Sequence, residues 1–131
     1  MSDESLFVRV EGTDRFRATR LTTSVWAETM QHGAPPSALL ARALEQCSPV
    51  PGTRLARVTM EILGPVPVGE LTVQARVERP GRRVAMLSAD LVADLPDGST
   101  RTVARATAWR VAMTDTSAAG SGVSGYLFDP P

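Results

Sequence analysis

The sequence predicts an α+β domain in which an antiparallel sheet wraps one apolar helix. Three observations carry that expectation. The segment from about Pro36 to Cys47 bears apolar residues round most of its circumference. Later segments alternate apolar and polar residues with a period of two, the mark of antiparallel strands with one face on a core. Those strands follow the helix in succession and do not alternate with further helices, which argues against a βαβ architecture.

The elements are read in chain order. Residues 1–5 are polar and expected to be loose. Leu6 to Val10 suits a short strand, and Glu11-Gly12-Thr13-Asp14 is a turn signal. Arg15 to Thr22 is a second strand with Phe16 and Ala18 on one side. Residues 23–34 have no clean period and hold Trp26, Met30, Gln31, His32 and Gly33. Pro35 and Pro36 then open the helix, where a missing N–H costs nothing. Ala, Leu, Arg and Glu propagate it. In the helix only Arg42, Glu45 and Gln46 clearly interrupt the apolar coat, so it is expected to be the most buried element. Ser48-Pro49 and Gly52 end it.

Ala56, Val58, Met60 and Ile62 alternate with Arg57, Thr59 and Glu61, which predicts a half-buried strand from Arg54 to Leu63. Gly64-Pro65-Val66-Pro67 breaks it. Leu71, Val73, Ala75 and Val77 share a face of the next strand. After the turn Arg79-Pro80-Gly81-Arg82 comes Arg83 to Ala93, with Ala85, Leu87, Ala89 and Leu91 on one face. Pro96-Asp97-Gly98 has good turn chemistry, and Thr100 to Met113 is the last strand. The four strands after the helix are expected to meander. Residues 1–113 therefore read as one domain and 114–131 as a linker-like tail, with an apolar cluster at Tyr126-Leu127-Phe128.

Composition narrows the function. The chain has 131 residues, enough for one domain with a real core. Its formal net charge is zero and there is no basic stripe, which argues against a nucleic-acid partner. Every cation is arginine, a bias expected of a GC-rich genome. Cys47 and His32 are each alone, so no internal disulfide or ordinary zinc site is expected, and no metal or other cofactor. The acidic start MSDESLFVRV is no signal peptide, and no apolar run reaches the length of a membrane span. The expected location is the cytoplasm.

The residues at the helix entry are the candidates for chemistry. A helix N-terminus offers N–H groups without intrahelical acceptors and the positive end of the dipole. The N–H groups of Gly33 and Ala34 are candidate donors to a ligand oxygen; the other reading is that Gly33 and the prolines only shape the helix entry. His32, the side chain that titrates near neutrality, is a candidate general base, or else it orients Gln31. Gln31 holds a water or satisfies the loop. Trp26 floors a ligand channel, or it belongs to the core or to a contact between copies. Asp90 and Glu28 are spare carboxylates, with Asp90 expected to be solvated or paired with arginine. Arg82 and Arg83 are turn residues or phosphate contacts.

Three ordered stretches carry a resemblance. They are Gln31-His32-Gly33-Ala34-Pro35-Pro36-Ser37-Ala38-Leu39-Leu40, the run Ala56 to Pro67, and Glu78-Arg79-Pro80-Gly81-Arg82-Arg83-Val84. Together, from about Phe16 to Arg110, they resemble the N-terminal half of the thioesterase-like, TesB-related hotdog proteins. The resemblance implies a hotdog fold and acyl-CoA thioester hydrolysis in a tunnel between two hotdog repeats. It places the catalytic Asp in the second repeat, beyond this chain, and no residue here matches it. The chain is then either a fragment of a double-hotdog protein or half of a pair of copies. The lead expectation is an acyl-CoA thioesterase-like enzyme. Its rival is a non-catalytic acyl-binding or structural half that needs a second repeat or a second copy. A Gly-x-Ser-x-Gly elbow is absent, which argues against serine hydrolysis. A hotdog dehydratase ranks third, because its His needs an acid partner.

Overall fold

A computed structural model describes residues 5–118. Tyr126-Leu127-Phe128 and most of the expected tail lie outside the described residues. The elements are β1 (Phe7–Arg9), β2 (Arg15–Ala18), α1 (Ala34–Gln46), β3 (Thr53–Ile62), β4 (Glu70–Arg79), β5 (Val84–Asp94) and β6 (Thr100–Ala112), with a 3-10 turn at Arg20–Thr22. The strands form one antiparallel sheet in the order β1-β2-β4-β5-β6-β3. This is the expected α+β arrangement.

The expected four-strand meander needs correction. β4, β5 and β6 do meander, but β3 pairs with β6 and not with β4. The segment after β3 crosses to the far side of the sheet. Its path is fixed at Met30, which bridges Pro67, and by Val68 N–H, which donates to Thr29 O at 2.8 Å.

Period-two alternation builds the core. Leu71 and Val73 of β4, Leu87, Ala89, Leu91 and Ala93 of β5, and Ala104, Ala106 and Ala108 of β6 all face Leu39, Leu40 and Leu44 of α1. The register sets Leu87 opposite Ala108, Ala89 opposite Ala106 and Leu91 opposite Ala104. Alanines along β6 let larger side chains interdigitate at interior density.

The helix starts at Ala34, two residues earlier than the sequence suggested, so both prolines fall within its first turn. Ser48 takes a left-handed φ of 45° just past its end, and Pro49 prevents continuation. The helix is not the most buried element. Five of its thirteen residues are buried, against seven of eleven in β5. β5 lies mid-sheet with α1 on one face and arginine side chains on the other. The helix has the sheet on one side only, leaving Ala34 and Ala38 exposed.

β3 also departs from expectation. A bulge between Leu55 and Arg57 turns Leu55 toward the core and leaves Ala56 exposed. As an edge strand beyond most of the helix, β3 is largely uncovered: Val58 is 39% exposed and Ile62 51%.

On the outer face Asp90 is paired, as one of its readings anticipated. Arg105 Nε donates to Asp90 Oδ1 at 2.6 Å, and Arg76 Nη1 to Oδ2 at 3.4 Å. The Arg105 hydrogen bond, opposed by burial and aided by Arg76, holds the Asp90 carboxyl below the usual carboxylate range. A depressed folded-state pKa stabilises the fold above the unfolded value of about 3.9 and ceases to do so as pH falls through the lower folded value. Asp90→Asn is therefore expected to lower the melting temperature at pH 6 and to cost less at pH 3, below the unfolded value. Thermal melts at both pH values check this; a pH-independent difference would contradict it.

Candidate functional site at the helix entry

The segment before α1 is pinned on two sides by backbone hydrogen bonds. Gln31 N–H donates to Val66 O at 2.7 Å, and His32 N–H to Thr22 O at 3.0 Å. Thr23 forms a bridge with Gln31. This short extended stretch makes successive side chains point to opposite sides. Gln31 is therefore buried, at 8% exposure, and His32 is exposed. Gln31 Nε2 donates to Pro67 O at 2.8 Å, while its Oε1 is buried without a partner. A buried acceptor left unpaired is costly.

Gly33 is the N-cap and offers no side-chain oxygen to cap the helix. Pro35 and Pro36 have no N–H to offer. Ser37 N–H already donates to Gly33 O. Among the described residues the N–H groups of Gly33 and Ala34 have no acceptor. They stand exposed at the positive end of a thirteen-residue helix. Gly33 has φ −71°, and a Cβ there would meet nothing within 4 Å. Neither backbone strain nor packing therefore requires glycine at this position.

The structure brings Gln31, His32, Gly33 and Ala34 together, with two open N–H donors beside a buried amide. It presents Trp26 differently. That side chain is 89% exposed on a turn with Val25, and Ser24 closes the turn by accepting from Ala27 N–H at 3.2 Å. Among the described residues no carboxylate pairs with His32. A groove of about 410 Å³ beside the entry is lined by Met30, Pro65, Pro67, Val68, Leu95 and Arg101, among others.

Sequence reading passed over Arg110, which is 8% exposed on the core face of β6. Its Nη1 donates to Cys47 O at 3.1 Å and Ser48 O at 2.9 Å, closing the C-terminal end of α1. The signal was present: the alternation Ala104, Ala106, Ala108 continues to Arg110.

One helix packed against a six-stranded antiparallel sheet is the architecture of the hotdog class. The chain belongs to the acyl-CoA thioesterase N-terminal domain family, whose model matches residues 22–111. Solved structures share the fold. A Bacillus halodurans protein solved with CoA is 19% identical with a TM-score of 0.62, covering 76% of this chain and 69% of its own. The hexameric thioesterase y2039 of Yersinia pestis is 21% identical with a TM-score of 0.58, covering 78% and 86%. An acyl-CoA hydrolase of Agrobacterium tumefaciens is 17% identical with a TM-score of 0.63; the match covers 81% of this chain but 44% of that one. No curated protein matches the chain. Among the described residues no helix is long and apolar enough to cross a membrane.

Proposed function

We propose that this chain binds acyl-CoA thioesters and hydrolyses them in the cytoplasm, as a TesB-like hotdog. The thioester carbonyl is held by the N–H groups of Gly33 and Ala34. The observation that carries this reading is the pair of donors without acceptors, set where two prolines remove the competing N–H groups. Donors fixed before the reaction stabilise a developing oxyanion without reorganisation, and more strongly in a dry site than in water. Gln31, whose Nε2 holds Pro67 O, is the candidate for positioning the attacking water, which requires its buried amide to open toward the helix entry. His32 is the candidate base, and Trp26 meets the acyl or pantetheine chain. Residues 1–113 form the working domain and 114–131 a tail.

The proposed assembly is a homodimer, or a pairing with a second hotdog repeat. β3 is a ten-residue sheet edge, and long open edges invite pairing. At its C-terminal end Ile62 and Leu63 are half exposed, and in the loop before α1 Val25 and Trp26 are almost wholly so. Light scattering at micromolar concentration should show a species of at least two chains. A stable, soluble species with the mass of one chain would contradict the assembly.

That no carboxylate among the described residues pairs with His32 favours a second reading, a non-catalytic acyl-binding half. Steady-state hydrolysis across an acyl-CoA length series separates the two. The hydrolase reading expects turnover that depends on chain length, and a loss of about 100-fold or more in His32→Ala if His32 is the base. Binding without turnover would establish the second reading.

A further inference from the structure

The groove beside the helix entry carries a charge that the chain does not answer. Its walls are apolar and partly exposed, from Met30, Pro65, Pro67, Val68 and Leu95. Two charged residues also line it. Asp94 is paired with Arg15 at 2.6 Å. Arg101 makes no hydrogen bond or ion pair among the described residues. Its guanidinium packs on Gly64 instead. A Cβ built there would stand 3.8 Å from Nη2, 3.9 Å from Cζ and 4.0 Å from Nε. Three near-equal distances place Gly64 over the plane of the group. The N–H donors lie in that plane and point elsewhere. Arg101 is therefore a cation seated by packing with its donors free.

The groove lies on the side of the helix entry. Arg101 is opposite Ala93 of β5, a buried residue of the inner face, so its side chain leaves the sheet on the face that carries α1. Met30 bridges Pro67, and Gln31 Nε2 donates to Pro67 O at 2.8 Å. One wall of the groove is thus tied to the entry segment, and Gly33 is two residues further on, at most roughly 7 Å of chain. Prolines with fixed φ shape the wall before any ligand arrives.

We propose that this groove holds the phosphopantetheine arm of the thioester, with Arg101 on a phosphate of CoA. The inference rests on the thioester reading and deepens it. Of the two ends of an acyl-CoA, a simple acyl chain is uncharged and the CoA end is anionic, so a free guanidinium suits the second. Guanidinium forks match phosphate in geometry as well as charge. At roughly 30 Å³ for each water-sized group, a groove of about 410 Å³ accepts on the order of a dozen heavy atoms, the scale of the arm between sulphur and phosphate.

The test compares one acyl group carried on CoA and on pantetheine, which lacks the phosphates. Steady-state kinetics of the full chain give kcat/KM for each; without turnover, the affinities of the two methylene analogues serve instead. The preference for CoA over pantetheine should fall about tenfold in Arg101→Gln, through KM, as loss of a charge-assisted hydrogen bond requires. Arg101→Lys should keep part of the preference. Pro65→Glu, which offers the guanidinium a carboxylate, should lower it. Both positions are exposed, so the fold does not depend on them. Gly33→Val should impair the two thioesters alike. If it does so while Arg101→Gln keeps the parental preference, the proposal alone is overturned. A parent chain that takes neither thioester overturns the thioester reading and the proposal together.

Discussion

Gly33→Val is expected to fold normally and to lose about 100-fold or more in acyl-CoA hydrolysis or binding, the scale of losing one oxyanion donor. The folded backbone tolerates the change. At φ −71° a side chain is unstrained, and the added Cβ meets open space. The N-cap effect on stability is on the order of 1 kcal/mol. What the branched side chain changes is approach, since it stands over the two N–H groups that a carbonyl must reach. Gly33→Ala should give an intermediate loss. Circular dichroism and a thermal melt establish folding, and steady-state kinetics read the loss. A folded Gly33→Val protein with parental activity would move the site elsewhere.

Leu40→Ala is expected to destabilise the domain by about 2–5 kcal/mol, the usual range for a fully buried leucine. Leu40 has no exposed surface and lies in the contact between α1 and the inner face of the sheet. Surrounding alanines such as Ala104 and Ala106 cannot extend into the space it would leave, so the cavity term should persist. Urea unfolding with the slope held common measures the change. A loss below about 0.5 kcal/mol, the range of surface substitutions, would mean that the helix is not seated on the sheet as described.

The fold was legible where one rule acted alone. Ala85, Leu87, Ala89 and Leu91 announced β5 because an inward face alternates whatever its neighbours are. Alternation names a face and not a partner, so the pairing of β3 with β6 was hidden. The bulge at Leu55/Arg57 was hidden too, because Ala56 and Leu55 are both apolar and either satisfies the pattern. The apolar coat of α1 misled for a related reason: alanines such as Ala38 are small enough to stand in solvent at little cost. At the site, Gly33, Ala34 and the two prolines followed from local chemistry. The opposite orientations of Gln31 and His32 came from a bridge to Thr23 and a hydrogen bond to Val66, contacts that no local pattern encodes. Arg110 was missed because charge at a core position reads as an exception until the helix end that it satisfies is in view.

The central claim is that a thioester carbonyl sits on the N–H groups of Gly33 and Ala34. An acyl-CoA analogue in which a methylene replaces the thioester sulphur keeps the carbonyl and resists hydrolysis. Titrated into the isotope-labelled chain, it should move the Gly33 and Ala34 amide protons downfield together and saturably, as formation of new hydrogen bonds requires. Saturable binding that leaves both amides unmoved while shifting residues elsewhere would contradict the account.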